Sequence, residues 1–83
     1  LQLINSRESL EIAVDHLKGL IQSTGARIKD HHLPIVSGNS LLLSQVFQNL
    51  LSNAIKFRSP KTAVEVTISA TQMEGYWRFL VED

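Results

Sequence analysis

The sequence predicts an α+β two-layer sandwich, with two helices packed on one face of a mixed β-sheet. Three observations predict it. Apolar residues recur at helical spacing over residues 7–24 and again over 41–57. The period then drops from 3.6 to 2 over the last twenty or so residues. The resulting order of strand, helix, strand, helix, strand, strand segregates the helices to one side of a sheet.

Residues 1–4 form a short apolar lead, read as an edge strand. Asn5 or Ser6 offers an N-cap, and Asn5 with Glu8 has capping-box spacing. Leu10, Ala13, Val14, Leu17, Leu20 and Ile21 mark the buried stripe of the first helix, 7–24, and Gly25 stands where a left-handed C-cap belongs. Residues 26–31 alternate weakly, as a short strand. Residues 32–39 read as a loop held extended around Pro34. Asn39 or Ser40 caps the second helix, 41–57, and Pro60 ends it because proline cannot continue a helix. Val64, Val66, Ile68 and Ala70 then alternate with polar residues, as do Trp77, Phe79 and Val81 with Arg78, Leu80 and Glu82. A turn at 72–75 joins these two runs into a hairpin.

Bulk composition excludes several classes. Hydrophobic residues are 43% and charged residues 19%, which places the chain with globular rather than disordered sequences. Lys+Arg and Asp+Glu are balanced at 8 each, so no basic footprint marks nucleic acid as a partner. There is no cysteine, hence neither disulfides nor a thiolate metal site, as suits a reducing cytosol. No apolar run approaches the roughly 20 residues that span a bilayer. The chain starts at LQLIN without methionine and stops at FLVED inside a strand pattern, so a piece of a larger polypeptide is expected.

The second helix carries the chemistry. Leu42, Val46, Phe47, Leu50, Leu51, Ala54, Ile55 and Phe57 are expected to form a wide apolar arc against the sheet. At about 100° per residue, with Asn49 at zero, Asn53 lies near +40°, Lys56 near −20°, Gln45 near −40° and Ser52 near −60°. A merely solvated face would carry Glu–Lys pairs. This stripe has no acid and spends positions on asparagine, a poor helix former. Amide oxygens suit a hard cation such as Mg²⁺, which keeps most of its waters, and an ammonium one turn on suits phosphate oxygens.

The run LSQVFQNLLSNAIKF resembles the N-box of sensor histidine kinases, whose ATP-binding domain belongs to the GHKL superfamily (gyrase, heat-shock chaperone, histidine kinase, MutL). Gly38-Asn39, Leu43, Gln45-Val46-Phe47, Asn49-Leu50-Leu51, Asn53-Ala54 and Lys56-Phe57 carry the resemblance, with Asn39 replacing the usual Asp. It implies a truncated Bergerat-type ATP-binding fold over residues 1–83. It further implies that Asn53 ligates the Mg²⁺ of ATP, Asn49 lines the phosphates, Lys56 reaches phosphate oxygens and Phe57 flanks the nucleotide. Phe79-Leu80-Val81-Glu82-Asp83 looks like the approach to the Asp-x-Gly-x-Gly motif, which makes Asp83 the adenine-binding aspartate. The hydrolysing branches carry a Glu at the position of Asn49. An amide cannot take water's proton, so a kinase-type site is favoured.

The resemblance implies a cytoplasmic catalytic domain with three partners: ATP, the phosphoacceptor dimerisation domain of the same kinase, and a response regulator receiver domain. No catalytic residue is expected within these 83 residues, and half a pocket should bind Mg-ATP weakly or not at all. His16, His31 and His32 lack phosphoacceptor context. The alternative is a non-enzymatic interaction module that forms a homodimer through an open sheet edge at 76–83.

Overall fold

The computed structural model describes residues 2–57 and 64–82. The expectations for Leu1, for Pro60 as a helix terminator and for Asp83 lie outside the described residues. The elements in chain order are β1 (Gln2–Asn5), α1 (Ser6–His16), α2 (Lys18–Thr24), β2 (Arg27–His31), β3 (Ile35–Gly38), α3 (Ser40–Lys56), β4 (Glu65–Met73) and β5 (Tyr76–Glu82). The class is α+β.

The main sheet is mixed and ordered β2-β4-β5. β2 runs parallel to β4 with Ile28 opposite Val66, and β4 pairs antiparallel with β5 with Ala70 opposite Phe79. Its inner face follows the period of 2 that the sequence shows: Val66 and Ile68 are fully buried, while Trp77, Phe79 and Val81 are half-buried. Gly75 closes the hairpin at φ 82°, a conformation open to glycine without side-chain strain. Lys29 Nζ and Glu65 Oε1, 3.1 Å apart, bridge β2 and β4 on the outer face.

Three expectations are corrected. The first helix is two helices, broken at Leu17, so the described residues hold three helices rather than two. The Leu17 N–H is shared between the carbonyls of Ala13 and Val14, a local tightening, and Gly19 weakens the next turn. Residues 35–38, expected as loop, form β3. It pairs antiparallel with β1 in a separate two-stranded ribbon, so β1 is not an edge of the main sheet. Four residues are too brief a run for periodicity to show. Third, the apolar arc of the second helix is too wide: Leu42 is 61% exposed, Val46 51%, Leu50 40% and Phe57 84%. Only Phe47, Leu51 and Ile55 face inward completely.

Small residues let α1 and α3 approach. Ser6, Ser9 and Ala13 on α1, and Ser44 on α3, are buried. Each buried hydroxyl has a partner, as burial requires. Ser6 Oγ donates to the Pro34 carbonyl, Ser9 Oγ lies 3.2 Å from Ser40 Oγ, and Ser44 Oγ donates to the Leu41 carbonyl at 2.7 Å. Two turns beyond Ser9, His16 Nδ1 and Gln48 Oε1 share a 3.2 Å hydrogen bond. Contacts 9–40 and 16–48 advance together, so the two helices run in the same direction. Phe47 then meets Phe79 edge-on, ring centroids 5.4 Å apart at 80°, and ties α3 to β5.

Candidate functional site on the outer flank of α3

The rotation of α3 is fixed from both sides. Ser40 and Gln48 turn toward α1, and Phe47, Leu51 and Ile55 toward the core. The helix starts where Asn39, extended at φ −119°, accepts the Leu42 N–H on Oδ1 at 3.0 Å. It ends where the Phe57 N–H donates to the Asn53 carbonyl at 3.0 Å. Leu43 and Ala54 pack partly against the core, and the exposed residues that remain face outward.

That outward flank carries Leu42, Val46, Asn49, Asn53 and Lys56, at alternating spacings of four and three residues, all exposed. Asn49 to Lys56 spans seven residues, or about 10 Å of helix. Neither the Asn49 nor the Asn53 carboxamide has a hydrogen-bond partner among the described residues, and Lys56 has no ion-pair partner there. Both amide oxygens are therefore available. Lys56 also complements the negative end of the helix dipole, a structural reason for a cation in the last turn. Phe57, the C-cap residue, is largely exposed.

Among the described residues, no cluster of three His, Asp or Glu side chains could cage a metal ion. A carboxamide oxygen beside an ammonium fits a different mode. Mg²⁺ takes few protein ligands and completes its octahedron with waters and phosphate oxygens, so Asn53 could hold it only together with a phosphorylated ligand.

Sequence reasoning missed the apolar half of this flank. Leu42 projects near +20° and Val46 near +60° on the same wheel that places Asn49 and Asn53. The signal was thus in the projection, beside the two asparagines. Leu42 and Val46 border a groove of about 600 Å³, with Tyr76, Trp77 and Phe79 on its opposite wall. Another cavity, about 530 Å³ beside Leu10, Val14, Ile21 and Ile28, lies on the α1–α2 side. It contains none of the site residues singled out in the sequence.

By fold and site, the chain is an α+β sandwich organised around one amphipathic helix with an exposed polar flank. It belongs to the histidine kinase-, DNA gyrase B-, and HSP90-like ATPase family, which matches residues 38–83. That match includes Asn49, Asn53, Lys56, Phe57 and Asp83. Membership of an ATPase family implies ATP as the ligand. The chain is 43% identical over 82 residues to cyanobacterial phytochrome A of Nostoc sp., covering 99% of this chain and 11% of that protein. It is 36% identical over 77 residues to phytochrome-like protein Cph1 of Synechocystis sp., covering 93% of this chain and 10% of that protein. The chain therefore spans about a tenth of the length of these relatives.

Proposed function

We propose that these 83 residues are the first part of the catalytic ATP-binding domain of a phytochrome-like sensor histidine kinase that works in the cytoplasm. The whole kinase would pass the γ-phosphoryl of ATP to a histidine of its dimerisation domain, and a response regulator receiver would take it from there. The observation that carries this reading is the exposed flank of α3. It offers amides at Asn49 and Asn53 and an ammonium at Lys56, all without partners among the described residues and all inside the family-matched segment.

In this reading Asn53 ligates Mg²⁺, which draws charge off the phosphates when bound. Asn49 and Lys56 hold phosphate oxygens, Phe57 covers the nucleotide and Asp83 accepts from the adenine amino group. An amide at position 49 leaves water without a base, which protects ATP from hydrolysis while a histidine is brought up. The two relatives' names support a phytochrome-like parent.

The test uses a longer chain that continues past residue 83 and includes the dimerisation domain. Incubated with γ-labelled ATP and Mg²⁺, it should acquire an acid-labile, base-stable phosphoryl group, and Asn53→Ala should abolish the labelling. Undiminished labelling of Asn53→Ala would overturn the assignment. The 83-residue chain, titrated calorimetrically with a non-hydrolysable ATP analogue, should give no measurable heat; a low-micromolar affinity would refute its incompleteness.

A further inference from the structure

We propose that the groove between α1, α2 and β2 is a docking site for an amphipathic helix of a partner, one that carries a basic side chain within its apolar stripe. The groove holds about 530 Å³, and all of its lining lies within residues 7–30. Its floor is apolar, made by Leu10, Val14, Ile21 and Ile28. Val14, Ile21 and Ile28 pack against the core yet stay only half-buried, so the groove leaves core side chains open to solvent.

Charge sets what can lie on that floor. Lys29 faces outward on β2, where it meets Glu65, so by the strand's period of two Asp30 shares the inner face with Ile28. A carboxylate on the helix side of a sheet calls for a partner. The Asp30 side chain is only 28% exposed, and among the described residues its carboxylate makes no hydrogen bond. Its ion-pair partner there is Arg7 Nε at 3.9 Å, too far for a hydrogen bond, and the same Nε lies 3.8 Å from Glu11 Oε1. Glu11 and Asp15 stand on the α1 wall. Three carboxylates thus border the groove with two cations, Arg7 and Lys18, and the excess around the apolar floor is acidic. The complementary occupant is apolar and carries a cation. A guanidinium fits best, because its fork of donors can satisfy both oxygens of Asp30.

The backbone decides between helix and strand. An extended segment pressed on this floor would leave its own N–H and C=O groups unpaired against side chains. A helix brings its backbone already bonded. Arg7, Leu10, Glu11, Val14 and Asp15 recur every three or four residues, a straight wall along about 12 Å of α1. A helix laid beside that wall would carry the helix layer over Ile28 and Asp30, the part of β2 that the groove leaves open. None of Asn49, Asn53 and Lys56 borders the groove, so binding there needs no nucleotide.

The 83-residue chain, its folding checked by circular dichroism, is titrated by fluorescence anisotropy. The probe is a fluorescein-labelled helical peptide of about 15 residues, with leucines on one face and a single arginine among them. The wild type is expected to bind it. A peptide with glutamine in place of that arginine should bind about tenfold more weakly or worse. Asp30→Asn should bind both peptides alike, at the weaker level, whereas Lys29→Met on the outer face should bind as wild type does. Val14→Gln on the floor should weaken both peptides. No binding by the wild type, equal binding of the two peptides, an Asp30→Asn chain that still tells them apart, or undiminished binding by Val14→Gln would each overturn the proposal. So would equal binding of the arginine peptide interrupted by proline, which would give the groove to an extended segment. A dimer of the chain alone that Asp30→Asn abolishes would overturn it too, in favour of a second copy. Where Asp30→Asn fails to fold, the peptide pair on the wild type still decides.

Discussion

Leu50 and Leu51 are adjacent in the chain and identical in chemistry, yet α3 turns one outward and buries the other completely. Truncating each to alanine tests the rotational setting of the helix on which the candidate site depends. Removing three carbons from Leu51 costs about 2.4 kcal/mol at ~0.8 kcal/mol per methylene. A residual cavity is added because Phe47, Ile55, Val66 and Ile68 around it are themselves close-packed, and the total falls at about 3–5 kcal/mol. Leu50, 40% exposed, keeps about three-fifths of the transfer cost and opens no closed cavity, or about 1–1.5 kcal/mol. A chain of 83 residues has about 4–12 kcal/mol in total. Leu51→Ala should therefore lose most of its folded baseline, and Leu50→Ala should shift the urea midpoint by about 1 M at an m-value of ~1 kcal/mol/M. The single tryptophan, Trp77 beside the groove, reports both transitions by fluorescence. Equal losses for the two variants would mean that α3 is turned differently, with the Asn49–Lys56 stripe no longer at the surface.

Three further outcomes are expected from the same unfolding assay. Asn39→Ala should cost about 1 kcal/mol through loss of the cap to the Leu42 N–H, while Asn39→Asp should cost little because a carboxylate caps as well. Gly75→Ala should cost about 1 kcal/mol from backbone strain at φ 82° alone, since an added Cβ meets nothing within 4 Å. Breaking the exposed Lys29–Glu65 pair by Lys29→Met should change stability by less than about 1 kcal/mol, despite its 3.1 Å separation.

Much of this architecture was legible in the residues, for identifiable reasons. The long periodic segments read correctly as to type: α3 over seventeen residues, and the β4–β5 hairpin with its alternating faces. Asn5, Asn39 and Gly25 sit at the helix boundaries they announce, because their side chains or φ have a local job. The ribbon of β1 and β3 was not legible. Its pairing is set by tertiary contact between segments about thirty residues or more apart, and four residues carry too little pattern to show it. The break at Leu17 has no proline to mark it. The most instructive miss concerns Leu42, Val46 and Leu50: hydrophobicity assigned them to the core, but the geometry of a single helix could not bury them together with Phe47, Leu51 and Ile55. The stripe of Asn49, Asn53 and Lys56 was visible as a pattern. Its lack of partners among the described residues was not, because that depends on what α1 and the sheet leave uncovered.

The central claim is that the Asn53 carboxamide is held free on the α3 flank to meet a magnesium–nucleotide complex. Its most direct test measures the affinity of a non-hydrolysable ATP analogue, with and without Mg²⁺, for a chain continued past residue 83. Wild type is compared with Asn53→Ala, and with Gln22→Ala on α2 as a remote control. Tighter binding with Mg²⁺ in wild type and in the control, lost in Asn53→Ala while its stability stays within ~0.5 kcal/mol of wild type, is the predicted result. An Asn53→Ala chain that keeps the Mg²⁺-dependent gain would contradict it.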